Sequence, residues 1–304
     1  MRSRLLALLA SATLLVACQT APQPVARTWQ LPPDVKAMRV NGYDMAYLER
    51  GAGVPVVFVH GAGADYRYWA AQMDPFAAKY RAIAVSLRNY YPEPWRGEGT
   101  FSLNQQVADL VAFIRQLGAG PVHLVGHSRG GTVAIYVTRA APELIRTLTF
   151  AEGGTGMPAF APVDPALVER RTVALRAVAE KLSKGEVDAG LEIFMEYTGG
   201  PGSWKNLPDR NRQLLRDNAW TLAEADRDTG TWAPFSCDDS RRLNVPVLLL
   251  GGDSSPANFG ATLDRVQSCL SKVERQIIKN SSHSMPRINP LGFNAAVMTF
   301  IDAR

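Results

Sequence analysis

PVHLVGHSRGGTVAIYVT, residues 121–138, decides how the rest of the chain is read. Its first part is a short apolar run of the kind found in strands buried on both faces, and its second part reads as a helix. Between them stands Gly126-His127-Ser128-Arg129-Gly130, a G-x-S-x-G. A serine on a sharp strand-to-helix turn is forced into a strained backbone conformation, and only small residues two places to either side avoid a clash. The turn lifts the hydroxyl above the sheet and aims the next helix's N-terminus at it, where the helix dipole favours developing negative charge. Ser128 is the candidate nucleophile.

The same alternation extends in both directions. VPVVFVH (54–60), RAIAVSL (81–87), TLTFAE (147–152), VPVLLLGG (245–252) and ERQIIK (274–279) read as strands, and MRVNGYDMAYLER (38–50) as a hairpin turning at Asn41-Gly42. The clearest helix is 103–117, where Leu103, Val107, Leu110, Val111, Ile114 and Leu117 keep one face apolar behind Ser102 as N-cap, with Gln105 to complete a capping box. Strands alternating with helices imply an α/β fold with a mostly parallel central sheet and helices on both faces. One stretch breaks the pattern. From 155 to 235 only helical segments are visible, near 165–183, 185–197 and 208–226, with Gly199-Gly200-Pro201-Gly202 between the last two. Ligands bind over the carboxyl ends of such sheets, so this insertion reads as a helical lid. Its aromatics, Phe194, Tyr197, Trp204, Trp220 and Trp232, suit a mildly apolar pocket.

The 304 residues suffice for one large α/β domain with an insertion or for two small domains, and 46% hydrophobic with 20% charged residues suits a packed globular protein. The formal charge of +5 is spread thinly, without Lys/Arg runs, and gives nucleic-acid binding little support. MRSRLLALLASATLLVAC, residues 1–18, has a basic start, an apolar core and small residues before Cys18, as a secretory signal peptide does. Its end, Leu15-Val16-Ala17-Cys18, resembles the bacterial lipobox. That resemblance implies removal of residues 1–17 and lipidation of Cys18, with 18–34 as a tether to a core at 35–154 and 236–304. Several acyl chains on one residue give a stable membrane anchor. Gln19 stands where an inner-membrane retention signal would have Asp, which favours the outer membrane of a bacterial envelope. Cys237 and Cys269 are then an even pair in an oxidising compartment, either bridged or two separate buried thiols.

VVFVHGAGADYRYW (56–69), AVSLRNYYPEPWRGEG (84–99) and HSMPRINPLGFNAAVMTFI (283–301), together with the G-x-S-x-G turn, resemble the α/β-hydrolase family from about residue 38 to the end. The resemblance implies an oxyanion hole built from the backbone N–H of Arg129 and of Ala62 or a neighbour, with His60 holding that loop. Of four histidines, His123 reads as core and His127 fills the variable slot of the turn. His283, in the loop after the last strand, lies where the family places its base. A serine is hardly ionised at neutral pH and needs an imidazole to take its proton.

The base needs a carboxylate to fix its tautomer. Many members carry Gly-Glu-x-Asp at the end of the strand before this loop. Laid over Gly252-Asp253-Ser254-Ser255, the pattern puts its acid on Ser255, although Asp253 serves if the turn is shorter. Some lipases of this fold take the acid from the end of the preceding strand, here Glu152. Glu152 is preferred and both stay open, whereas Asp238, Asp239 and Asp264 are set aside.

The sequence thus points to a lipid-anchored serine hydrolase cleaving carboxylic esters through an acyl-enzyme, without a cofactor and without Cys/His spacing for a metal. The alternatives are cofactor-free perhydrolysis, carbon–carbon hydrolysis, or a non-catalytic binding module at the cell surface.

Overall fold

The computed structural model describes residues 29–97, 101–154, 160, 164–225 and 236–304. Cys18 and Trp232 lie outside the described residues. The hairpin forms where Asn41-Gly42 demands it: β1 (Val35–Val40) and β2 (Tyr43–Arg50) pair antiparallel, with Val40 opposite Tyr43. Asn41 and Gly42 take φ of 46° and 76°, the left-handed region that a tight two-residue turn requires.

Six further strands follow: β3 (Pro55–Val59), β4 (Arg81–Val85), β5 (Val122–His127), β6 (Ile145–Ala151), β7 (Val247–Gly252) and β8 (Val273–Ile278). The sheet order is β1-β2-β4-β3-β5-β6-β7-β8, and every pairing from β4 to β8 is parallel. The central strands are buried along almost their whole length because alternate residues enter different cores. Val57, Val59, Leu124 and Leu249 face one core, where α2 (Leu103–Leu117) and α3 (Arg129–Ala140) pack. Val56, Phe58, Leu248 and Leu250 face the other, covered by α1 (Ala70–Ala77) and by the C-terminal helix. Ser102 caps α2 through Gln105 N as its position implies.

The insertion supplies α4 (Pro165–Ser183), α5 (Val187–Gly199), α6 (Asp209–Asp217) and α7 (Ala219–Ala225). The helix expected over 208–226 is in fact two. Asn218 breaks it, because its side chain is committed elsewhere: Nδ2 donates to Asp65 Oδ2 (2.7 Å), and Oδ1 accepts from Tyr91 N (2.8 Å). Val178, Leu182, Leu191 and Leu222 give these helices a core of their own, and Ala62 packs against it. Asp238 and Asp239 lie on a short helix, α8 (Cys237–Arg241). The chain then continues through α9 (Ala257–Cys269), α10 (Met285–Ile288) and α11 (Pro290–Asp302). Cys237 is bonded to Cys269 at a Cα–Cα separation of 4.8 Å, so α8 is stapled to the end of α9.

Candidate active site

Ser128 joins the end of β5 to the start of α3 with φ 55° and ψ −124°, a conformation that L-residues rarely adopt. The flanking glycines are required by space. A Cβ on Gly126 would run into the backbone of Gly130 and Gly131, and one on Gly130 into the carbonyls of Val59 and His60. The turn is tied to its neighbour by Ser128 N, which donates to Ala151 O at 2.8 Å. The nucleophile candidate is thereby bonded to the residue just before Glu152.

The loop after β3 lies against this turn. A Cβ on Gly61 would come within 3.0 Å of Ser128 Cβ. His60 holds the loop as expected: Nδ1 donates to Gly61 O (2.9 Å) and Nε2 accepts from Leu87 N (3.1 Å). Burial pushes His60 down to about 4, so it stays neutral in this role. Arg129 is the first residue of α3, where a backbone N–H has no partner within the helix. Its guanidinium reaches Gln106 Oε1 (3.3 Å) and lies over the Phe101 ring. The Gly61 loop, whose next residue is Ala62, and the first turn of α3, which starts at Arg129, thus both adjoin Ser128.

His283 is buried, and its Nδ1 lies 2.7 Å from Glu152 Oε2. A carboxylate only accepts, so Nδ1 carries the proton and Nε2 is left as the acceptor. Glu152 is 1% exposed, has φ 44°, and its Oε1 accepts from Gly252 N at 2.9 Å. Asp253, the other acid weighed from sequence, is not at the imidazole. It is exposed on the far side of the Gly252 turn, where its oxygens accept from Asn280 N and Ser281 N, both at 3.1 Å. Those two amides hold its carboxyl below the usual range. Its place is at the base of the histidine loop, bracing the turn where Asn280 has φ 51°.

Two contacts around His283 had no signal in the sequence. Phe259, on α9, stacks on its ring at 3.8 Å between centroids and 18° between planes. His127 is more than the filler of a variable slot. Its Nε2 donates to His283 O (2.7 Å), and its ring stacks on Tyr68. Burial, with the neighbouring His283 second, keeps His127 well below the usual histidine range. His123 is core, as read, with Nδ1 2.8 Å from Thr147 Oγ1 and burial pushing it down to about 4. Of the aromatics of the insertion, Phe194 and Trp204 pack on its own core and Trp220 on the main one, while Tyr197 Oη accepts from Asn258 Nδ2 at 3.2 Å.

The family described as the alpha/beta hydrolase family matches residues 56–296. An esterase of Mycobacterium tuberculosis is 26% identical over 277 residues, 90% of either chain. An (E)-2-((N-methylformamido)methylene)succinate hydrolase of Acinetobacter baylyi is 23% identical over 281 residues, 86% of this chain and 95% of that one. Among solved structures, a carboxylesterase of Bacillus subtilis superposes with a TM-score of 0.70 at 16% identity, over 91% of this chain and 94% of that one. That last likeness carries the fold alone. With the match spanning most of both halves of the sheet and the Gly126–Gly130 turn between them, the chain belongs to the alpha/beta hydrolase family and is a hydrolase built on that fold.

Proposed function

We propose that this chain cleaves carboxylic esters with Ser128 as nucleophile, His283 as base and Glu152 as the acid that orients it. The observation that carries the reading is the buried 2.7 Å contact between His283 Nδ1 and Glu152 Oε2, beside a serine held at positive φ. Ser128 Oγ attacks the ester carbonyl carbon and its proton passes to His283 Nε2. The resulting oxyanion lies between the N–H groups of Ala62 and Arg129, and losing one such donor costs about 3–4 kcal/mol of barrier. Collapse returns the proton to the departing alkoxide as an alcohol and leaves the acyl group on Ser128. Water, deprotonated by His283, then attacks that acyl group and releases the carboxylic acid. The name borne by the M. tuberculosis relative supports esters as the substrate class.

The insertion of α4–α7 serves as a lid in this reading. Its core meets Ala62 directly, and a Cβ on Gly63 would come within 3.3–3.4 Å of Leu215 and Leu222. Motion of the insertion would therefore be felt at the oxyanion loop. The N-terminal sequence supports lipidation at Cys18 and an address at the outer membrane of a bacterial envelope.

The test is hydrolysis of short and medium p-nitrophenyl esters by the chain and by Ser128→Ala. Turnover that falls to background in the variant, together with labelling of Ser128 by a fluorophosphonate, is the expected result. Unchanged turnover in Ser128→Ala, or a folded protein that neither hydrolyses esters nor takes the label, would sink the proposal.

A further inference from the structure

A cavity of about 820 Å³ lies between the insertion and the histidine loop. That volume is in the range of small-molecule sites. Neither Ser128 nor His283 borders it, although Ser282 and Ser284 do. Its wall on the catalytic side is Tyr68, whose ring stacks on His127.

The charge of the lining is one-sided. Arg67, Arg210 and Arg287 border the cavity, and no Asp or Glu does among the described residues. Arg67 is already neutralised, by Asp65 Oδ2 at 2.6 Å and Asp217 Oδ2 at 2.9 Å. Arg287 is not. It lies over the Tyr68 ring at 5.4 Å, and its Nη2 is buried without a hydrogen-bond partner. Burial disfavours its charge and the like charge of Arg210 adds to that, while Tyr68 and the more distant Asp65 offset part of it. A guanidinium stays ionised in proteins, so the molecule keeps in a concave site a cation with no carboxylate at ion-pair distance among the described residues, an arrangement that costs free energy until a counter-charge arrives. The remaining walls divide into hydrogen-bonding groups, such as Ser282, Ser284 and Asn206, and apolar ones, such as Met195 and Leu214.

We infer that this cavity binds a small organic anion through Arg287 and Arg210, its carboxylate or phosphate group lying against the two guanidiniums that border it. Neither Ser128, His283 nor Glu152 lines the site, so the inference does not depend on the assignment of the triad. Arg210 belongs to α6 of the insertion and Arg287 to α10, just after His283, so one bound anion ties the insertion to the histidine loop. Occupancy therefore stabilises the protein as well as filling a pocket.

Calorimetric titration of the full chain with inorganic phosphate and with succinate, at constant ionic strength, tests this, with the melting temperature followed in parallel. Vesicles of phosphatidylcholine with and without phosphatidylglycerol form a third arm. Saturable binding of at least one soluble anion is expected, with a rise in Tm, weakened about tenfold or more in Arg287→Gln and less in Arg210→Gln. Arg115→Gln, on the distant α2, should bind as the parent does. Arg287→Gln in anion-free buffer should melt no lower than the parent, since it removes an unpaired buried charge, and this shows that it folds. Binding seen only with phosphatidylglycerol vesicles, and lost in Arg287→Gln, would identify the anion as a lipid headgroup. No saturable binding in any arm up to ~10 mM anion, or equal binding by the parent and both arginine variants, overturns the inference. So does loss of binding after Ser128 is labelled with a phosphonate, because the anion would then be sitting at the nucleophile.

Discussion

β6 and β7 are neighbours in the sheet, run in the same direction, and each delivers an acid to the same edge. Glu152 follows the last residue of β6, and Asp253 follows the last residue of β7. The two ends are even interlocked, because Glu152 N donates to Leu250 O and Gly252 N donates back to Glu152 Oε1. Yet one acid is 1% exposed against an imidazole and the other is exposed against two backbone amides. Strand position alone does not make a catalytic acid. What separates the two is direction and burial. At Glu152 a positive φ turns the chain so that the carboxylate looks along the sheet edge toward His283, where little water screens it. At Asp253 the Gly252 turn sends the shorter side chain to the base of the next loop. The first arrangement suits chemistry and the second suits holding a loop in place.

The largest effect expected from this contrast is on turnover. Glu152→Gln keeps the size of the side chain and removes its charge. It should lower kcat by up to ~10⁴, as amide replacement does when the imidazole is left in the wrong tautomer. Asp253→Asn should leave kcat within about tenfold of the parent. Steady-state kinetics on one chromogenic ester, with folding checked by circular dichroism, compares the two. The reverse order of effects would move the acid to β7 and make the Glu152 contact a packing interaction.

Much of this was legible before the structure. G-x-S-x-G can be read because a positive-φ serine leaves no room for side chains at 126 and 130, and that constraint is written in the local sequence. The strands were legible because burial on both faces leaves mostly apolar positions, and the hairpin because Asn-Gly is a local turn signal. The acid was not settled, since Glu152 and Asp253 differ only in where their chains turn after the strand. That depends on the packing of Gly153 against Gly131 and on the approach of Gly252 to Ser281, which no window of sequence contains. Phe259 and His127 escaped for the same reason. Each meets His283 across the fold, and neither carries a motif. The break at Asn218 was hidden too, because its partners Asp65 and Tyr91 lie more than a hundred residues away.

The β7 end has a further support. Past Asp253 the chain enters α9, which carries Phe259 under His283 and ends at the Cys237–Cys269 bond. A bridge closing a loop of this length stabilises by roughly 3–4 kcal/mol in the chain-entropy model. The double variant Cys237→Ser/Cys269→Ser should therefore unfold at a lower denaturant concentration by about that free energy, with kcat at 25 °C little changed. Urea unfolding alongside kinetics separates the two readouts. A fall in kcat with the unfolding midpoint unchanged would mean that the staple acts on Phe259 and the imidazole rather than on global stability.

The smallest effect belongs to Asp253 itself, and pH gives it a sign. Its carboxyl is held below the usual carboxylate value by the amides of Ser281 and Asn280, so the folded protein favours the ionised form more than the unfolded chain does. The stabilisation is fully present above the unfolded value of about 3.9 and is lost as pH falls through the lower, folded value. Asp253→Asn keeps one acceptor but no charge, so at neutral pH it should melt slightly below the parent. The gap should narrow on acidification below about pH 4. Taking the difference between the two proteins matters here. His60 and His123 are pushed down to about 4 by burial, so the unfolded chain takes up their protons first and both proteins lose stability as pH falls from about 6.5. That loss is common to parent and variant and cancels. A gap that stays constant from pH 7 to pH 3 would mean that the two hydrogen bonds act through shape alone, and the charge of Asp253 would then have no part in holding the histidine loop.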